Sequence, residues 1–278
     1  MMRAYETLRE KTMLPVMNIV LRAARQANEY IVLTVDKHEH SVADNDASQR
    51  LVTHLESIIF GNVMDAIKKG YPEHYIAEPG EIAPNDKDDC WEIVGFDKPA
   101  HVVRKLPGTT YAIIHRSKDL ISNAIVVNPF TGEEFTATRG RGATLNARRM
   151  RTNSCKALTE AYIATDVLNL IGQHPQNPYF TELTSALAKD CAELRINSNN
   201  TLNLAMVASG QVDAAILCEA EPDKLKAALL MCQESGVLTG KLDGGMLGKN
   251  QSTLIAANSK LFKILVQRYG TYAPKLAE

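Results

Sequence analysis

The amino-acid sequence predicts a layered α/β fold, and three observations carry that prediction. Two amphipathic helical patterns open the chain. A run of short β-type segments separated by turn residues follows, and strand-like and helix-like segments then alternate toward the C-terminus. Strands alternating with helices imply sheets covered by helices, because an apolar strand must bury its faces against another apolar surface.

The first helical pattern runs from residue 14 to about 31. Met17, Val20, Leu21, Ala24, Ala27 and Ile31 recur at helical spacing, with Pro15 placed in the first turn. The second holds Leu51, Leu55, Ile58, Ile59, Val63 and Ile67 and stops at Gly70 and Tyr71-Pro72. Residues 36–46 between them and residues 84–89 after them are rich in charge and turn formers, and both read as exposed loops.

β-type runs are predicted at residues 90–96, 111–116, 123–128 and 134–138, with Pro129 to Gly132 turning the last two into a hairpin of an antiparallel meander. Beyond Ala157 the strand-like runs are 162–165, 193–196, 214–217 and 254–257. Helix-like runs occupy 179–187, 202–209, 223–232 and 260–269. Neither a repeat nor a Gly/Ser/Pro-rich linker interrupts the chain. Residues 1–278 therefore read as one domain, with residues 1–156 as the two-helix and antiparallel half and 157–278 as the alternating half.

Composition sets the class. A chain of 278 residues, 45% hydrophobic and 23% charged, is a globular composition. No stretch approaches the roughly 20 apolar residues of a membrane span, and the first residues lack a secretory pattern, so a cytoplasmic protein with no membrane association is expected. Five cysteines are scattered singly, which predicts reduced thiols and no zinc site. A formal net charge of -1 excludes the strong positive field of a general nucleic-acid binder.

Any RNA or protein partner must then be met by a local patch. Arg139, Arg141, Arg148, Arg149, Arg151 and Lys156 form a run with no acid between its ends. It suits RNA phosphate or an acidic protein surface, and it equally suits a solvated strand and turn. No aromatic residue is interleaved with it, so base stacking is not indicated. His38, His40 and His54 match no ligand spacing and read as exposed histidines. Residues 244–250 resemble a phosphate loop only superficially and read as a plain loop.

Three segments carry a family resemblance. Residues 14–25 form the opening helix, residues 128–146 run through a hairpin into a G-x-G-A-x-L-N turn, and residues 202–214 pass from helix to strand. Together, and in this order, they resemble the inositol monophosphatase superfamily, most closely its SuhB-like branch. The resemblance implies an αβαβα layered sandwich, usually dimeric, that hydrolyses small phosphate monoesters with Mg²⁺. It also implies a W-x-I-D-P-x-D-G-T motif, a preceding Glu and a later W-D pair as metal ligands, since Mg²⁺ takes hard oxygen donors.

This chain keeps that pattern only in part. Trp91, Ile93 and Asp97 match the motif, but its first Asp is Val94, which has no lone pair to give, and the Gly-Thr is Lys98-Pro99. Glu78 stands where the preceding Glu is expected, with Glu81 as a rival. Asp223 keeps the later Asp after Pro222, and Glu56 stands where relatives carry an Asp on the second helix. Glu78, Asp97 and Asp223 are thus the metal candidates. Helix capping accounts equally well for Asp97 and Asp223, and a solvated loop accounts better for Glu78.

Two functional expectations follow from the resemblance. In the first, no cofactor is held, catalysis is absent or weak, and a pseudoenzyme acts by binding. The SuhB-like branch assists ribosomal RNA transcription as an antitermination factor joined to NusA and RNA polymerase. In the second, Glu78, Asp97 and Asp223 hold a single Mg²⁺ in a working phosphomonoesterase. Pairing with an intact paralogue through the family's dimer surface is a third possibility.

Overall fold

The computed structural model describes residues 2–37, 45–81, 84, 88–96, 99–118, 120–222, 224–248 and 253–276. The chain divides into two compact units, Met1–Glu133 and Glu134–Glu278.

The first unit opens with α1 (Met2–Lys37) and α2 (Asn45–Gly70). Val20, Ala24, Ala27 and Ile31 of α1 share a core with Leu55, Ile59, Val63 and Ile67 of α2, all nearly inaccessible, as their 3.6-residue spacing predicts. α1 begins earlier than predicted, so Pro15 lies inside the helix and not in its first turn. It leaves one carbonyl of the preceding turn without its intrahelical donor.

β1 (Tyr75–Ile76), β2 (Asp89–Val94), α3 (Pro99–Val103), β3 (Tyr111–Ser117) and β4 (Leu120–Asn128) complete this unit. The strands lie in the order β1-β2-β3-β4. β2, β3 and β4 are antiparallel neighbours, the predicted meander, with a register shift at His115/Arg116. β1 runs parallel to β2 and is too short to have been predicted. Trp91, Tyr111, Ile113, Ile125 and Val127 join the helices' core. After β4, Asn128 Oδ1 accepts the N–H groups of Phe130 and Thr131, and the Asn128 carbonyl accepts that of Gly132, which closes the turn.

The second unit begins with the hairpins β5 (Glu133–Thr138), β6 (Gly142–Leu145) and β7 (Arg148–Arg149). Then come β8 (Tyr162–Thr165), α4 (Val167–Ile171), α5 (Tyr179–Asp190), β9 (Glu193–Ile196), α6 (Asn200–Ser209) and β10 (Ala214–Leu217). α7 (Lys226–Ser235), β11 (Leu238–Gly240), β12 (Leu254–Ala257), α8 (Ser259–Tyr269) and α9 (Ala273–Leu276) end it. The five-stranded sheet has the order β11-β12-β10-β8-β9. β8 lies parallel to both β9 and β10, and β12 runs antiparallel to β10 and β11.

Side-chain caps set two helix starts. Asn199 Oδ1 accepts Leu202 N–H at α6, and Asn258 Oδ1 accepts Lys260 and Leu261 N–H at α8. The helix predicted from residue 223 instead begins at Lys226 with Leu225 at its N-cap, and Asp223 itself lies outside the described residues. The Glu221 carbonyl takes the N–H groups of Lys224 and Leu225, and this turn delays the helix. Cys90, Cys218 and Cys232 are buried thiols, and none of the five cysteines is bridged. No helix among the described residues is long and apolar enough to cross a membrane.

Candidate functional site

Two regions carry the residues singled out above, one in each unit. In the first unit the described part of the motif that begins at Trp91 occupies β2 and the two residues after it, Gly95 and Phe96. Trp91 is fixed on both sides. Its indole N–H donates to His74 Nδ1 at 3.0 Å, and its ring stacks on His115 with centroids 4.4 Å apart. His115 in turn donates from Nε2 to Asp89 (3.1 Å) and accepts at Nδ1 from Asn123 (3.0 Å). The tryptophan of the motif therefore holds its place by packing and hydrogen bonds alone.

Val94 ends β2, paired with Ala112 on β3. Beyond it the carboxylate of Glu56, reaching from α2, accepts the Phe96 N–H at 2.8 Å. Burial pushes the Glu56 carboxyl above its ordinary range, and the Phe96 bond opposes that rise. The same carboxylate lies against Gly95, where a Cβ would come within 2.2 Å of Oε1.

Glu78 is exposed, on a tight turn. Pro79 and Gly80 (φ +85°) are its central residues, and Glu81 N–H donates back to the Glu78 carbonyl at 2.9 Å, the geometry of a type II turn. Glu81 closes the turn from the other side. Its two oxygens accept the Tyr75 hydroxyl and the Glu78 N–H, and these bonds hold its carboxyl below the usual carboxylate range. Asp97 and Asp223, the other two metal candidates, lie outside the described residues, as do His38 and His40. His54 is on α2, bonded to the Tyr30 hydroxyl at 3.0 Å.

The described donors are committed in part to the protein's own hydrogen bonds. Val94 has no donor atom, Glu56 spends an oxygen on a backbone amide, and Glu81 spends both of its oxygens. Among the described residues no three His, Cys, Asp or Glu side chains are grouped to hold an ion.

In the second unit the basic run is brought together on the β5–β7 hairpins and the segment after them. Arg139 is half-buried, whereas Arg141, Arg148, Arg149, Arg151 and Lys156 are exposed. Asn146 and Ala147 join β6 to β7 with φ of 47° and 63°, a two-residue turn with both residues left-handed that sets Arg148 and Arg149 opposite Leu145 and Thr144. A Cβ at Gly142 would sit 3.5 Å from the Arg149 guanidinium.

The C-terminal end of α7 anchors this run. Glu234 of α7 accepts the N–H groups of Gly140 (2.8 Å) and Gly142 (2.9 Å) on separate carboxylate oxygens, and Gln233 accepts from Arg139. The turn between β5 and β6 thus receives a carboxylate from within its own unit. Thr152 N–H donates to the Ser235 carbonyl, and Arg151 passes beside Gly210, the left-handed C-cap of α6. Farther on, Asn153 donates to Asp213, whose other oxygen accepts Tyr162 N–H, while Asn258 donates to the carbonyls of Asn153 and Cys155.

Sequence reasoning missed Asp166. Its carboxylate, almost wholly buried after β8, accepts the N–H groups of Cys218 (2.7 Å) and Glu219 (3.1 Å) and the Asn200 side-chain amide (2.7 Å). Burial pushes its carboxyl up, against the pull of those donors. It fixes the backbone leaving β10. An isolated Asp after a four-residue apolar run gave no signal of this.

Comparison with known proteins places this architecture. Residues 112–270 match the profile described as the inositol monophosphatase family. The chain is 30% identical over 254 residues to the protein named Nus factor SuhB of Escherichia coli (strain K12), covering 91% of this chain and 94% of that one. It is 31% identical over 267 residues to the protein of the same name from Pseudomonas aeruginosa, covering 94% and 98%. Among solved structures it matches the inositol monophosphatase from Anabaena (Nostoc) sp. PCC 7120 at a TM-score of 0.76 and 21% identity, over 96% and 99% of the two chains. The extragenic suppressor protein SuhB from Bartonella henselae gives 0.72 and 22%, over 95% and 100%. The chain belongs to the inositol monophosphatase family, as a SuhB-like member.

Proposed function

We propose that this protein works by binding, as a SuhB-like transcription antitermination factor that contacts NusA and RNA polymerase, with phosphatase catalysis absent or weak. The relatives named Nus factor SuhB support the partner class. The observation that carries the reduced-site half is Val94 at the end of β2, where the resemblance asks for a bridging carboxylate. A hydrocarbon side chain at that position leaves two cations without a shared ligand.

The exposed arginines of the β6–β7 hairpin supply the contact. They are presented by a backbone tied to α7, and their charge suits RNA phosphate or an acidic protein face. The site works as a homodimer in the cytoplasm, without a bound cofactor.

Two assays on the purified chain test this reading. Capture of RNA polymerase in the presence of NusA is expected, weakened by an Arg148→Glu, Arg149→Glu double variant and by added salt. Turnover of inositol 1-phosphate with Mg²⁺ is expected to stay at background. Turnover that disappears in Asp97→Asn would instead establish a working single-metal phosphomonoesterase.

A further inference from the structure

The end of β2 and the residue after it depart from the motif at two adjacent positions, and a third departure faces them from α2. By the family resemblance drawn from the sequence, Val94 stands at the motif's first Asp, Gly95 at its Pro, and Glu56 where an Asp is expected on the second helix. The last two fit one another physically. Glu56 Oε1 lies 2.8 Å from the Phe96 nitrogen it accepts from. To reach it, the carboxylate crosses the bare face of Gly95, where a Cβ would meet Oε1 at 2.2 Å and the carboxyl carbon at 2.7 Å. Real Cβ atoms do not approach so closely, so any other residue at 95, proline included, displaces the Glu56 side chain. Gly95 has no positive φ, and thus the need for glycine here is room and not backbone conformation.

We propose that Glu56 and Gly95 form an internal lock, in which a protein carboxylate from α2 fixes the backbone at residues 95 and 96, directly after β2. The longer side chain supplies the reach and the missing Cβ supplies the space. Val94 removes a neighbouring charge that would repel the carboxylate. Phe96, buried at 8% exposure, anchors the far side of this backbone through its edge contact with Tyr111. Glu56 serves here only if the metal site is reduced as read above, and the two are tested separately.

The test is a double-mutant cycle on the full chain, melted in EDTA and again in 10 mM MgCl₂. Displacement of the flexible Glu56 carboxylate, with loss of its bond to Phe96 N–H, is expected to lower Tm of Gly95→Ala by roughly 2 to 4 °C. In the Glu56→Ala background the same change is expected to alter Tm by no more than about 1 °C, because the obstacle is gone and alanine restricts the unfolded chain. Equal losses from Gly95→Ala in both backgrounds would overturn the lock. So would a Mg²⁺-dependent rise in the parent's Tm that Glu56→Ala abolishes, since Glu56 would then be a metal ligand. A Mg²⁺-dependent rise that persists in Glu56→Ala overturns the reduced-site reading, and the cycle still decides the lock. Glu56→Gln, which keeps an acceptor for Phe96 N–H, covers the case in which Glu56→Ala fails to fold: Gly95→Ala should remain damaging in that background.

Discussion

Removing the Glu234 carboxylate should loosen the arginine-bearing turn and little else. In the parent, one oxygen accepts Gly140 N–H at 2.8 Å and the other accepts Gly142 N–H at 2.9 Å. Hydrogen bonds to a charged group contribute roughly 1.5 to 3 kcal/mol each when well shielded. Glu234 is half-buried, so both bonds together are taken at about 2 to 3 kcal/mol. For a chain of this size that corresponds to a fall in Tm of roughly 4 to 12 °C in Glu234→Ala. Glu234→Gln keeps one acceptor, and about half the loss is expected. Hydrogen exchange supplies the local readout: the amides of Gly140 and Gly142 should lose protection, whereas those of β8 and β10 should keep theirs. A Glu234→Ala protein that melts within about 1 °C of the parent, with unchanged exchange at both glycines, would refute the clamp.

Other perturbations have equally definite outcomes. Gly210→Ala forces an L-residue to φ +77° and sets its Cβ 2.9 Å from the Arg151 carbonyl; a loss of roughly 2 to 4 kcal/mol is expected by urea unfolding. The folded Asp166 carboxyl titrates above its unfolded counterpart, so the stability it contributes is present below about pH 4 and is lost as pH rises through its folded value. The stability difference between parent and Asp166→Asn should therefore shift against the parent as pH rises above about 4 and through the folded value, and a flat difference would contradict the assignment. Asp190 has the opposite sign. Arg268 and the Tyr269 hydroxyl hold it below the usual range, so Asp190→Asn should lose stability near neutrality, by less than about 1 kcal/mol for so exposed an ion pair, and lose nothing once acid has protonated the parent. Arg148→Glu with Arg149→Glu should leave unfolding within about 0.5 kcal/mol of the parent, while partner capture falls.

Local pattern carried much of the fold. The strand-like runs of β8, β9, β10 and β12 fall on the predicted residues because each is a short strand flanked by turn or cap residues such as Asp166, Asn197 and Asn258. β7 is two arginines and β1 is two residues, and neither contains an alternation to read. The N-terminal extent of α1 was hidden by Pro15, which usually marks a helix start and here sits in the interior. Contacts distant in the chain were the illegible part of the sites. Val94 and the basic run stand in the sequence in plain view. Nothing local says that Glu56 reaches Phe96, that Glu234 caps Gly140 and Gly142, or that Asp166 holds the backbone beyond β10.

The anchoring of the basic segment has a consequence for recognition. From Gly140 to Cys155 the backbone is bonded at intervals to Glu234, Ser235 and Asn258, and Asn153 ties it to Asp213, all within one compact unit. Arg148, Arg149 and Arg151 are consequently displayed at fixed spacing before any partner arrives, and only their side-chain rotamers remain to be ordered, at roughly 0.5 to 1.5 kcal/mol apiece. A surface of this kind behaves as a stencil: it favours partners whose negative charges already lie at matching intervals, and it discriminates by spacing as much as by charge.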